Sequence, residues 1–249
     1  MSKNVRQKMY FIEGAFMSQS RYLKEIKSAV SFFWKSKRKQ LAASVDKSNR
    51  GAVLGGKQMD GFVSLLKKVA EDSGVPGSCI FTKNNYLPGY FRSSKNWDFL
   101  VVTPSKKLVA AIELKSQVGS YGNNFNNRAE EAIGSAVDLW TAYREKQFPN
   151  QQSPWLGYLM VVGKDSDSEF PVKNNESIYP VLPEFKEASY IERYRILREK
   201  LKLERLYTST ALLWTSEVNK YGDVAEDISL DSFLNFFVAH LKGFADDFK

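Results

Sequence analysis

Asp98, Glu113 and Lys115 are the residues whose types and spacing could do chemistry. They lie on two strand-like segments, NWDFLVVT (96–103) and KLVAAIELKS (107–116), separated by a turn around Pro104, Ser105, Lys106 and Lys107. A symmetric loop of two or four residues places Asp98 directly opposite Glu113, and opposed residues share a face with β-carbons about 4.5–5.5 Å apart. Side chains alternate along a strand, so Lys115 points to the same face as Glu113. An odd-length loop would slip the register and separate the carboxylates. Two acids at the end of an otherwise apolar hairpin repel each other and lose hydration unless a cation compensates them. Magnesium suits that donor set, binding through one or two carboxylates and keeping open positions for water and phosphate oxygens. The Leu114 backbone carbonyl is a further candidate ligand. Such an ion would activate water and polarise a phosphate, while Lys115 positions the nucleophile and stabilises developing negative charge. A structural ion pair across the hairpin is the competing explanation, and the Asp…Glu-x-Lys pattern by itself does not separate the two.

The rest of the composition removes alternatives. Cys79 and His240 are the only cysteine and histidine, which excludes internal disulfides and any zinc site built from several such ligands. Cys79 reads as a packed strand residue in SCIF, and His240 as a structural residue in a C-terminal helix. Lys and Arg outnumber Asp and Glu by 36 to 28, a formal charge of +8, which favours a polyanionic partner. No apolar run approaches the roughly 20 residues of a membrane span, and the N-terminal MSKNVRQKMYFIEG lacks the apolar core of a secretory signal. The expectation is a cytoplasmic protein with no membrane association.

The trio must be positioned by its surroundings. Leu23, Ile26, Val30 and Phe33 recur at helical spacing within 19–41, and Met59, Phe62, Val63, Leu66, Val69 and Ala70 do so before Gly74 and Pro76. Lys35, Lys37, Arg38 and Lys39 decorate the first helix, either complementing its C-terminal dipole or contacting phosphates. SCIFT (78–82) precedes the hairpin. After it come a loop from Gly119 to Arg128, a helix over 128–147 with Ile133, Val137, Trp140 and Tyr143 on one face, and a buried strand, WLGYLMVVG (155–163). A charged helix near 187–204, the strand ALLWT (211–215) and a helix from about Asp231 to Phe244 complete the chain. A helix between two strands makes a right-handed crossover, so a central mixed β-sheet covered by helices on both faces is expected. No linker or repeat divides the sequence. One domain over 1–249 is expected, with a helical N-terminal part (about 1–75), a core (about 76–216) and a helical C-terminal part (about 217–249).

The segment AIELKSQVGSYGNNFNNRAEEAIGSAVDLWTAYREKQF, with GGKQMDGF before it and PWLGYL and EFKEASYIERYRILREKLKLERLY after it, resembles the XhoI family of restriction endonucleases across about residues 50–210. The resemblance implies the PD-(D/E)xK superfamily and a restriction-endonuclease-like α/β core, with Trp97 standing where the superfamily has proline. It implies a magnesium-dependent homodimer that cuts a palindromic duplex such as CTCGAG to leave a 5′ overhang. A companion DNA methyltransferase is implied as well. Asn123, Asn124, Asn126 and Arg128 in the Gly119–Arg128 loop are candidate base contacts, since Asn pairs with adenine edges and Arg with guanine. Asn127 and Glu130 are assigned to a capping box; Glu131 either reaches toward the metal as a supporting acid or faces solvent, and solvent is favoured. Tyr86, Arg92 and Lys95, just upstream of Asp98, are candidates for phosphates or bases. The resemblance makes Asp60 a candidate acid approaching the same site, against a favourable anion in its helix's first turn, and it is left out of the catalytic set. A repair or recombination nuclease of the same superfamily and a non-catalytic basic DNA-binding module are the rival functions.

Overall fold

The computed structural model describes residues 21–45, 57–148 and 151–249. The N-terminal segment and the GG of GGKQMDGF lie outside the described residues. A six-stranded mixed sheet forms the centre, ordered β1 (Ile80–Phe81), β4 (Phe99–Val102), β5 (Leu108–Gln117), β6 (Trp155–Gly163), β7 (Ser209–Thr215) and β8 (Tyr221–Asp223). β5, β6 and β7 run parallel and the remaining pairs are antiparallel. A separate two-stranded ribbon pairs β2 (Tyr86–Leu87) with β3 (Lys95–Asn96). Between the parallel strands run α3 (Tyr121–Arg144) and α5 (Tyr190–Leu203), with the short α4 (Ser166–Glu169) after β6. The mixed sheet with helices on both faces is the architecture expected.

One face of the sheet is covered by α1 (Leu23–Val45), α2 (Asp60–Asp72) and α6 (Leu230–Lys242). Its core is large and apolar: Phe33, Trp34, Phe62, Phe99, Trp155, Phe233 and Phe237 are all buried there. The other face packs on α3 and α5 through Leu100, Ala111, Leu156, Tyr158, Ala132, Ala136, Leu139 and Tyr194. Central strands buried on both sides read as continuous apolar runs, as β5 and β6 do.

Several local expectations require correction. The strand at 78–82 shortens to Ile80–Phe81, and Cys79, though buried, ends a 3-10 turn before it. α1 continues to Val45, so Lys35, Lys37, Arg38 and Lys39 sit inside the helix and no longer complement its C-terminal dipole. α3 begins at Tyr121, seven residues before the expected helix, and absorbs the supposed Gly119–Arg128 loop. Its start is fixed by tertiary contacts: the buried Tyr121 hydroxyl donates to the Gly163 carbonyl (3.1 Å) and the Asp165 carboxylate (2.7 Å). Ser120, in a left-handed conformation, occupies the N-cap position, so Asn127 and Glu130 form no capping box. The buried face of α3 carries Ala132, Ser135, Ala136, Leu139 and Ala142, whereas Ile133 is exposed and Val137, Trp140 and Tyr143 are only partly buried. Small side chains let this helix approach the sheet more closely than the bulky face would.

Candidate active site

The hairpin that carries the trio reaches its register by an unexpected route. Thr103 and Lys107 close a three-residue loop, with Lys106 donating to the Thr103 carbonyl (2.9 Å) and adopting a φ of 65°. This is the three-residue hairpin whose last position is left-handed, an odd loop that by itself would put the carboxylates on opposite faces. A β-bulge corrects it. Val102 pairs with Leu108 but Val101 pairs with Ala110, leaving Val109 as the extra residue, and from there Phe99 pairs with Ile112. Val109 and Ala110 both face the apolar side, as a bulge requires. The His240 imidazole lies 3.0 Å from the Val109 carbonyl through Nε2, so the chain's one histidine satisfies the bulge. Burial depresses the His240 pKa, keeping the ring neutral for that structural task.

Continuing the register by one residue sets Asp98 opposite Glu113, just beyond the end of β4 and on the face packed by α3 and α5. The Asp98 carboxylate accepts from the Leu114 amide (2.7 Å). A strand residue presents its N–H and C=O to the same side, so the Leu114 carbonyl is directed toward the Asp98 edge of β5. Glu113 is buried, and two ammonium groups flank it: Lys115 Nζ at 2.7 Å from Oε1 and Lys95 Nζ at 2.8 Å from Oε2. Burial and the nearby Glu113 charge push the Asp98 carboxyl up to about 6, against the Leu114 hydrogen bond and the Lys115 and Lys95 charges. Burial would lower the Lys115 pKa, yet the Glu113 ion pair outweighs it and the net shift is upward. Lys115 is therefore an ammonium at neutral pH, fit to hold charge and orient a water rather than to take a proton.

Among the described residues no cluster of three His, Cys, Asp or Glu side chains gathers to enclose a metal ion. Two converging carboxylates, one of them held protonated more readily by the charge of the other, beside a backbone carbonyl, instead fit an ion that keeps open positions. The donors are all oxygen, which matches magnesium and excludes a thiolate or imidazole metal centre.

Other predicted residues are distributed around this centre. Asn123 and Asn126 are exposed on the first two turns of α3, with Asn127 and Glu130 on the same side. Asn124 turns back to the Ser120 carbonyl (2.8 Å). Arg128 pairs with Glu131 (2.8 Å), and Glu131, exposed as expected, also lies 3.8 Å from Lys115. Asp60 starts α2 on the far side of the sheet, lining a groove with Glu25, Ser28 and Phe32. Arg92 is engaged by Asp138 of α3 (2.8 Å), which also accepts from the Tyr90 (2.8 Å) and Phe91 (2.7 Å) amides.

Those three bonds pin the tip of the β2–β3 ribbon onto α3, and Tyr86, Tyr90 and Phe91 of the same segment are exposed. Asp138 is buried and its pKa is lowered; desolvation opposes this, and the Phe91, Arg92 and Tyr90 bonds overcome it. A β-carbon at Gly89 would collide with the Asp138 carboxylate, so glycine is required for that close approach. The base of the ribbon is closed by Asn85, whose side chain donates to the Trp97 carbonyl and whose own carbonyl accepts from the Trp97 amide (3.0 Å). Sequence reasoning missed Asp138 and the Lys95–Glu113 pair. A lone acid on the small-residue face of a helix was the available signal for Asp138; nothing local announces Lys95.

The family described as "Restriction endonuclease XhoI" matches residues 37–226. The chain belongs to the XhoI restriction endonuclease family. Its relatives include the type II restriction enzyme BstVI of Geobacillus stearothermophilus, 47% identical over 80% of this chain and 94% of that protein. The type II restriction enzyme XhoI of Xanthomonas vasicola is 46% identical over 70% of this chain and 73% of its own. AbrI of Azospirillum brasilense, also a type II restriction enzyme, is 44% identical over 57% and 66% respectively. No solved structure matches the chain. The match to the XhoI family spans the hairpin, the ribbon, α3 and both parallel crossovers. No helix among the described residues is long and apolar enough to cross a membrane.

Proposed function

We propose that this chain hydrolyses phosphodiester bonds in both strands of a short palindromic DNA site, CTCGAG or a close relative, leaving a 5′ overhang, by a magnesium-dependent PD-(D/E)xK mechanism. The observation that carries the reading is the convergence of Asp98, Glu113 and Lys115 on one face at the end of β4, within a chain of a restriction endonuclease family. Asp98, Glu113 and the Leu114 carbonyl would hold the ion. Magnesium supplies Lewis acidity at the scissile phosphate and lowers the pKa of the water it binds. Lys115, held by Glu113, orients the attacking water and offsets charge gathering on the phosphoryl oxygens.

Sequence reading is assigned to the start of α3. With the helix beginning at Tyr121, Asn123, Asn126 and Asn127 form one exposed polar face, and a helix of this kind enters the major groove with its N-terminal residues on base edges. Arg128 and Asn124 flank that face, and the exposed Arg92 is held at the ribbon tip by Asp138. A palindrome read by one helix per half-site calls for a two-fold homodimer, each copy folded as a single nuclease domain. A cognate methyltransferase and a cytoplasmic location complete the proposal, since uncontrolled cutting would destroy the host genome.

Incubation of purified protein with phage DNA and magnesium, followed by sequencing of fragment ends, tests the reading. Discrete ends sharing one palindrome are expected. Smeared or junction-confined products would favour the repair-nuclease alternative, and no cleavage would favour a binding module.

A further inference from the structure

Lys115 alone would satisfy the proposed chemistry, yet a second lysine from a different element occupies the other oxygen of Glu113. Lys95 lies on β3 of the ribbon, not in the central sheet. Its side chain is 13% exposed, its ammonium is 2.8 Å from Glu113 Oε2, and it stands 4.7 Å from the centre of the Trp97 ring. The ion pair is thus partly desolvated and braced by an aromatic face. A divalent ion and this ammonium would compete for the same lone pairs, because a carboxylate oxygen already bound to –NH3+ is a poor metal ligand. The ribbon carrying Lys95 is joined by only two residue pairs, Tyr86 with Asn96 and Leu87 with Lys95. It also carries the exposed rings of Tyr86, Tyr90 and Phe91.

We propose that Lys95 is a specificity-determining gate: it caps Glu113 in the free enzyme and releases it to the metal only when duplex DNA seats against the ribbon. The inference rests on the assignment of Asp98 and Glu113 as metal ligands. A phosphate oxygen brought near the ribbon offers Lys95 a second anionic partner, in competition with a carboxylate already shared with Lys115. The lysine then moves outward and Oε2 becomes available. Metal affinity and DNA affinity are coupled through one side chain, and coupling of this kind is reciprocal. The gate withholds the metal from Glu113 when the duplex fails to seat, which suits an enzyme that must spare all but one sequence.

The test is calorimetric titration with CaCl2 of the full-length protein, first alone and then saturated with a duplex that the enzyme cuts in magnesium. In the free protein, Lys95→Met and Lys95→Gln should bind calcium about tenfold or more tightly than wild type, within the usual range of coupling between sites. Lys95→Arg, which keeps the charge, should stay near wild type. With duplex bound, the advantage of the Met and Gln variants should largely vanish. Equal calcium affinities for the Met and Gln variants and wild type without DNA would overturn the gate, as would a gap of the same size with and without DNA. Glu113→Gln distinguishes failure of the gate from failure of its premise: loss of calcium binding in that variant upholds the ligand assignment, and unchanged binding overturns both.

Discussion

The two faces of the central sheet share the same strands and serve opposite ends. Against α1, α2 and α6 the sheet is dry and aromatic: Phe99, Trp155, Phe233 and Phe237 pack ring against ring at 5.0–6.2 Å. Against α3 and α5 the same strands bury Glu113, Asp138 and Arg198, with Tyr158, Tyr194 and Tyr207 among them. The Arg198 guanidinium is fully buried over the Tyr158 ring, 3.8 Å from its centre, and among the described residues its Nε and Nη1 have no hydrogen-bond partner of ordinary geometry. Burying unpaired polar groups costs stability. The comparison teaches that the apolar face supplies the surplus that lets the polar face hold converging carboxylates at the end of β4.

If that division is right, damage to the two faces should differ in kind. Phe237→Ala should lower folding stability by about 3–5 kcal/mol, the usual cost of removing a buried phenyl ring, while the fraction that remains folded cuts DNA normally. Urea denaturation paired with cleavage per folded molecule measures this, and a selective loss of cleavage would blur the distinction. On the polar face, removing the Asp98 charge should stabilise. The Asp98 pKa is raised in the folded state to about 6, so the folded protein holds a proton that the unfolded chain has released, and stability falls as pH rises from about 4 to about 6. Asp98→Asn cannot ionise. Without metal it should be more stable than wild type at pH 8 by up to about 3 kcal/mol, from the size of the shift, with the gap closing near pH 4. Denaturation in EDTA at the two pH values checks it; a gap independent of pH would contradict it. The smallest effect is local. Asp138→Asn replaces a charge that accepts three hydrogen bonds with an amide whose nitrogen faces Arg92, and should cost about 1–2 kcal/mol confined to the ribbon tip. Faster amide exchange at Tyr90 and Phe91 with little change in global stability is the expected signature.

Much of this division was legible in the sequence, because strand and helix periodicities are local. The hairpin, the parallel crossovers and the convergence of Asp98, Glu113 and Lys115 all follow from alternation and spacing. Even so, the register came out as expected only because two one-residue offsets, the odd loop at Pro104–Lys106 and the bulge at Val109, cancel. The bulge is supported by His240, 131 residues away, and no local pattern announces such a contact. The start of α3 was hidden for the same reason, since Tyr121 is anchored by Gly163 and Asp165. Its buried face was misjudged because bulky Ile133 and Trp140 outweigh alanines in a periodicity argument, although alanines are what a close helix–sheet contact selects. The Lys95–Glu113 and Arg92–Asp138 pairs join residues whose proximity exists only after the ribbon folds over the sheet.

Glu113 is where the polar face, the catalytic proposal and both lysines meet, so cleavage by Glu113→Gln tests the account most directly. At saturating magnesium, on DNA that wild type cuts to completion, the variant should lose cleavage by at least about a thousandfold. It should still fold and still bind that duplex in calcium. Magnesium-dependent cutting at an undiminished rate would contradict the account.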